Sequence, residues 1–238
     1  MSLAVELLAD PADAELAGWP EASGGGPLVA LGEARSDGSL PLVRWLDRPA
    51  GPDDRESRLV IAPAGEGLWR RAPWPAADAL FDLPPAAGGD APPAAAALLV
   101  GAERGLREAV AERAAERGVA LGQAERLDAA ALAGAGCIVM AESPGGALPA
   151  RAFAVLAAGR LLITPRLETT FGLEDGLDHL GFAGPDEAVD AVRAFGVGPE
   201  TFGRVVSWGR LKAEQQRASV VYARLAEDLR LQGLLAGA

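Results

Sequence analysis

Side chains able to handle an anion or a proton gather in one stretch of this chain, from Glu142 to Asp175. Gly145 and Gly146 form a loop, and Arg151 follows five residues later. Backbone N–H groups of a glycine loop and a nearby guanidinium can together hold a phosphate. The same residues also fit a plain loop and a surface arginine, which is the simpler reading of the residues alone. The carboxylates Glu142, Glu168, Glu174 and Asp175 fall in predicted loops or strand ends on one side of a sheet. One of them could bind a ribose hydroxyl or act as a base. Glu168 and Glu174 are the best placed, and Thr169 and Thr170 could add donors beside them. In so acidic a chain, each acid alone also reads as a solvated surface group.

The elements that must position these residues are legible around them. Cys137-Ile-Val-Met140 and Leu161-Leu-Ile163 are continuous apolar runs, as expected of central strands covered on both faces. Between them, Pro149 suits a first helical position, Phe153, Leu156 and Ala157 share a helical face, and Gly159 suits a left-handed stop. Strand, glycine loop, helix and strand make a βαβ crossover. Its loops lie at the carboxyl ends of parallel strands, where open α/β sheets bind ligands.

The totals narrow the classes. The chain has 238 residues, half of them hydrophobic, which permits a sizeable core. Its 22 basic against 33 acidic residues give a net charge of −11, which argues against a general nucleic-acid binder or adhesion to an anionic membrane. Cys137 stands alone in an apolar run, so no intrachain disulfide forms and a reducing cytoplasm is the expected compartment. His179 is also single, so no histidine cluster for a metal is present. No apolar run is long enough to span a bilayer, and the first ten residues do not read as a secretory signal.

Pro84 to Pro93 is a linker by composition, and it divides the chain into residues 1–92 and 93–238. Before it, Leu28–Leu31 and Leu42–Leu46 read as strands joined in a hairpin, with further strands at Arg58–Ala62 and Ala79–Leu83. Trp69 and Trp74 are candidates for stacking on a sugar, or core fillers. After it come a strand at Ala96–Val100, a plain βα turn at Gly101–Gly105, and a helix ending at Gly118. A strand at Val119–Leu121 and a helix at Leu127–Leu132 lead into the crossover. Beyond it, Asp178–Phe182 reads as an edge strand with His179 on its surface, Pro185 opens a helix, and Trp208 is expected in the core of a helical tail. The fold class expected is α/β: a Rossmann-like parallel sheet flanked by helices, preceded by a small, less regular α/β segment.

From about Leu98 to Leu229 the order of elements resembles the C-terminal, donor-binding half of a GT-B glycosyltransferase, and most of all the CgeB-like group of spore-protein glycosyltransferases. Arg151-Ala-Phe153 with Ala157-Ala-Gly159, Leu162-Ile-Thr164, the loop to Gly176, Pro185-Asp-Glu187, Gly209-Arg210 and Arg217 carry the resemblance. It implies a metal-independent enzyme without a cofactor, taking a nucleotide-sugar at Gly145, Gly146, Arg151, Glu168, Thr169, Thr170 and Glu174. The diphosphate would sit on the glycine loop and helix start, and Arg151 would pair with it. The family pattern Arg-x-Phe-Glu has Ala154 where a ribose-binding Glu would stand, and Gln215-Gln216 where a His is frequent. The resemblance therefore implies either a transferase or a catalytically degenerate GT-B-like interaction protein, with a complete glycosyltransferase or a second copy of itself as partner. A different Rossmann-like nucleotide binder, responding to NAD, is a third reading.

Overall fold

The computed structural model describes residues 3–8, 16–18, 28–30, 43–46, 59–62, 70–71, 75–87, 96–101, 103–124, 127–142, 146, 148–149, 151–168 and 170–231. Its described strands form two five-stranded sheets. The first contains β1 (Leu3–Leu8), β2 (Leu28–Ala30), β3 (Val43–Leu46), β4 (Leu59–Ala62) and β5 (Arg70–Arg71), in the order β2-β1-β3-β4-β5. The second contains β6 (Ala96–Val100), β7 (Gly122–Gln123), β8 (Ala135–Met140), β9 (Leu161–Pro165) and β10 (Leu180–Phe182), in the order β7-β6-β8-β9-β10. Every strand pairing in both is parallel. Counted within its own sheet, each set has the order 2-1-3-4-5, one of the two common doubly wound arrangements.

This corrects the hairpin. Leu28–Ala30 and Val43–Leu46 do not pair with each other; both run parallel to Leu3–Leu8, which lies between them. Ala79–Leu83 is not a strand either: Asp78–Asp82 is a 3-10 turn whose Leu80 and Phe81 are buried. The strand expected at Val119–Leu121 lies at Gly122–Gln123 instead, pairing with Leu98 and Leu99.

Helices cover both faces of the second sheet. They are α1 (Arg104–Glu116), α2 (Ala129–Gly134), α3 (Ala152–Ala157), α4 (Pro185–Val197), α5 (Gly203–Ala213) and α6 (Ala218–Leu231). Strand side chains alternate between two cores, as the pleat requires. Ile138, Met140 and Leu162 join α2, α3 and the Leu80–Phe81 turn. Cys137, Val139, Leu161 and Ile163 join Val110 of α1 and Val189, Val192 and Phe195 of α4. Asp128 caps α2, its carboxylate accepting from the Ala131 N–H at 2.7 Å. Pro185 opens α4, with Asp186 and Glu187 in its first turn, where they favour the helix dipole.

The segment ahead of the Pro/Gly-rich stretch is held to the second sheet's side by arginines. Buried Arg160 donates to the carbonyls of Leu132 and Pro84 at 2.7 and 2.8 Å. Arg210 donates to the Leu83 carbonyl at 2.9 Å and also to that of Phe81. The Arg217 guanidinium lies 3.7 Å over the Phe81 ring. Helix α6 then reaches residues 16–18: the Tyr222 hydroxyl donates to the Ala17 carbonyl at 2.9 Å. Among the described residues, no helix is long and apolar enough to cross a membrane.

Candidate functional site

The carboxyl edge of the second sheet carries the loops after β6, β8 and β9. A Cβ on Gly101 would lie 2.6 Å from the Ala141 carbonyl oxygen, so the ends of β6 and β8 pass backbone to backbone there. A cavity lies beyond the end of β9, against α3 and the end of α5.

The loops after β8 and β9 are laced together. The Glu168 N–H donates to the Gly146 carbonyl at 2.8 Å. Gly146 has φ +74°, and a Cβ there would meet the Glu168 carboxyl group at 3.3 Å. The left-handed backbone there favours glycine, while the exposed Glu168 side chain could yield to a Cβ. Gly145 and Thr169 lie outside the described residues, as do Trp69 and Trp74. Arg151 is already engaged: its guanidinium donates to Glu142 Oε1 at 2.8 Å, with the two side chains only 14% and 13% exposed. Helix α3, which follows, is six residues long, and every one of them is buried. Ala154 points into this core, so a glutamate at that position would have to be buried too.

After β9 the chain makes a tight turn. The Leu173 N–H donates to the Thr170 carbonyl at 3.1 Å, and both residues between, Phe171 and Gly172, have positive φ, at 52° and 85°. Two consecutive left-handed residues mark a I′-type turn, which favours Asn, Asp or Gly. A phenylalanine there is an outlier, held by packing against the α3 core. Strain of this kind clusters at ligand sites.

Phe171 and Gly172 form one wall of a cavity of about 220 Å³. Phe153 of α3, Leu211 and Lys212 of α5, and Gln215 and Gln216 complete it. Lys212 Nζ donates to the Gly172 carbonyl at 3.0 Å. Lys212 sits in the last turn of α5, within the expected helical tail, and no motif in the sequence marks it as a ligand contact. Phe153, on the helical face shared with Leu156 and Ala157, serves the core and the cavity at once. Glu168 and Glu174 are exposed and do not line this space.

Glu174 instead belongs to a braced turn. Its N–H donates to Asp178 Oδ2 at 2.9 Å, and Asp175 Oδ1 accepts from the Gly181 N–H at 2.6 Å. His179 is buried, against the expectation of a strand-surface position. Burial lowers its pKa below the usual imidazole value, with Asp175 and Asp178 opposing the shift. Trp208, expected in the core, is 39% exposed, because α5 turns Val206, Gly209 and Ala213 inward instead. Burial pushes the Cys137 thiol pKa up, so it is a packing residue and not a nucleophile. Among the described residues, no cluster of three metal-ligating side chains occurs.

No protein-family model matches the chain, and no curated protein is similar to it in sequence. Among solved structures it is similar to the pneumococcal O-GlcNAc transferase GtfA in complex with UDP and GlcNAc, at 11% identity and a TM-score of 0.43. That match covers 75% of this chain and 46% of the other, so the chain spans less than half the length of that neighbour. At that TM-score the fold rests on strand order: two parallel sheets of order 2-1-3-4-5, the second flanked by helices on both faces.

Proposed function

We propose that this protein binds a nucleotide-sugar at the carboxyl edge of its second sheet and passes the sugar to an acceptor, as a GT-B glycosyltransferase does. The observation that carries the proposal is the repeated doubly wound order in two successive sheets, with a strained, aromatic-walled cavity at the carboxyl edge of the second. In such a transfer the bond between the anomeric carbon and the diphosphate breaks, and the leaving diphosphate gains charge. Fixed donors near that oxygen lower the barrier. The laced Gly146 and Glu168 loops and the Thr170 turn would frame the donor. The finer assignment to the CgeB-like group is supported by the order of Arg151-Ala-Phe153, Gly159, Pro185 and Arg217 in the sequence.

A second reading has its own observation. Among the described residues no carboxylate lines the cavity, and Ala154 is buried in the core where the resembled family's ribose-binding glutamate would stand. That favours a scaffold that binds without transferring, an interaction partner of a complete transferase. A thermal-shift series with UDP, GDP, TDP, ADP, their sugar conjugates and NAD tests the first reading. A ligand at about a hundred times its Kd stabilises the native state by roughly 2.7 kcal/mol. A shift with one nucleoside diphosphate supports the proposal, and silence across the series removes it. Release of free sugar from the conjugate that binds then separates enzyme from scaffold.

A further inference from the structure

The cations near the carboxyl edge of the second sheet are unequally committed. Arg151 faces Glu142 in a mostly buried pair, and drawing it onto a ligand would strand that carboxylate. Arg166 meets Glu187 at 3.3 Å, and Arg217 is bound to Glu214 through two nitrogens. Arg160 and Arg210 are spent on the backbone carbonyls of residues 81–84 and 132. Lys212 differs. It is the charged side chain among the cavity's described lining residues, and its described partner there is the neutral Gly172 carbonyl, as Arg107 reaches the Gly101 carbonyl away from the cavity. An ammonium has three donors, so two of them stay available while that contact holds.

The rest of the cavity fits one part of a nucleotide. At about 220 Å³ it is smaller than the roughly 300–1,000 Å³ of sites that bury a whole drug-sized ligand. It therefore takes a ring and its neighbouring anion, with the remainder of the ligand outside. The half-buried Phe171 offers an apolar wall to a flat heterocycle, with buried Phe153 closing the floor behind it, and the Gln215 and Gln216 amides supply donors and acceptors for its edge.

The geometry points to Lys212, and not Arg151, as the side chain that takes the phosphate of the bound nucleotide, in the cavity walled by Phe153 and Phe171. This inference rests on the nucleotide-sugar reading above and goes past it by moving the anion contact from the glycine loop to the end of α5. The left-handed turn at Phe171 and Gly172 then has a purpose. It aims the Gly172 carbonyl at Lys212 and holds the ammonium at the cavity while no ligand is there.

The test is calorimetric titration of the full chain with UDP, GDP, TDP and ADP and with the parent nucleosides, for wild type, Lys212→Gln and Lys212→Arg. Lys212→Gln is expected to weaken the best-bound diphosphate about tenfold or more, a loss typical of a hydrogen bond to a charged group. The parent nucleoside should bind Lys212→Gln within about twofold of wild type, and Lys212→Arg should recover part of the diphosphate affinity. Raising the salt concentration should weaken the diphosphate and not the nucleoside in wild type, a readout independent of any variant's folding. If wild type binds a diphosphate and Lys212→Gln binds it equally well, Lys212 is not the phosphate contact, while the nucleotide reading stands. Equal losses for nucleoside and diphosphate would also overturn the assignment, because Lys212 would then act through cavity shape. A wild type that binds none of the probes overturns both.

Discussion

Replacing Gly209 with alanine tests the packing that builds the cavity. Gly209 lies where α5 crosses the start of the β10 segment and α3. A Cβ there would sit 2.5 Å from the Asp178 carbonyl oxygen and 2.7 Å from Leu156 Cδ2, against ordinary contacts that begin at 3.4 Å. The helix would have to retreat by roughly 0.9 Å, since the carbonyl is backbone and the Asp178 side chain is tied to the Glu174 N–H. Forcing a methyl into a packed core costs about 1–3 kcal/mol. Alanine returns about 1 kcal/mol of helix propensity, so the net loss is up to about 2 kcal/mol. At about 2–4 °C per kcal/mol for a protein of this size, Gly209→Ala should melt up to about 8 °C lower. Gly196→Ala on α4 is the matched control: nothing lies within 4 Å of its Cβ. Without a clash, it should gain about 0.4–1 kcal/mol. Circular-dichroism melts and urea titrations of the two variants read the sign directly. If Gly209→Ala gains stability as Gly196→Ala does, the close approach of α5 to Asp178 is wrong. The shape of the cavity, lined by Leu211 and Lys212 just beyond Gly209, then falls with it.

Two further outcomes follow from the same core. Ala154→Glu places a carboxylate in the buried cluster that also holds Met140, Phe153 and Leu162 and should cost several kcal/mol, enough to lower the melting temperature sharply at pH 7; a variant as stable as wild type would mean that α3 presents this position to solvent. His179 is held neutral by burial, so its folded pKa lies below the ordinary 6.5. Above that pH it makes stability neither rise nor fall. As the pH drops below about 6.5 the unfolded chain gains a proton that the folded chain resists, and stability is lost. Urea midpoints between pH 7.5 and 5.5 should fall for wild type and flatten in His179→Gln; equal slopes would show that other groups govern the window.

Much of the local structure was legible in the residues. The apolar runs at Cys137–Met140 and Leu161–Ile163, the stop at Gly159 and the helix opened by Pro185 all stand where spacing and backbone preference put them. These features depend on neighbours a few residues apart, which a sequence displays in full. Strand partners do not. Nothing in Leu28–Ala30 and Val43–Leu46 says that Leu3–Leu8 comes between them, because a hairpin and a parallel pairing ask for the same apolar strands. The cavity is non-local in the same way, drawing on Phe153, the Phe171–Gly172 turn and the Leu211–Gln216 segment. Charge shows the divide most plainly. The sequence determined that Arg151 stands near a glycine loop and that Lys212 ends a helix. Only the tertiary structure decided that Glu142 occupies the first and a carbonyl the second, because an ion pair is fixed by distance in space and not along the chain.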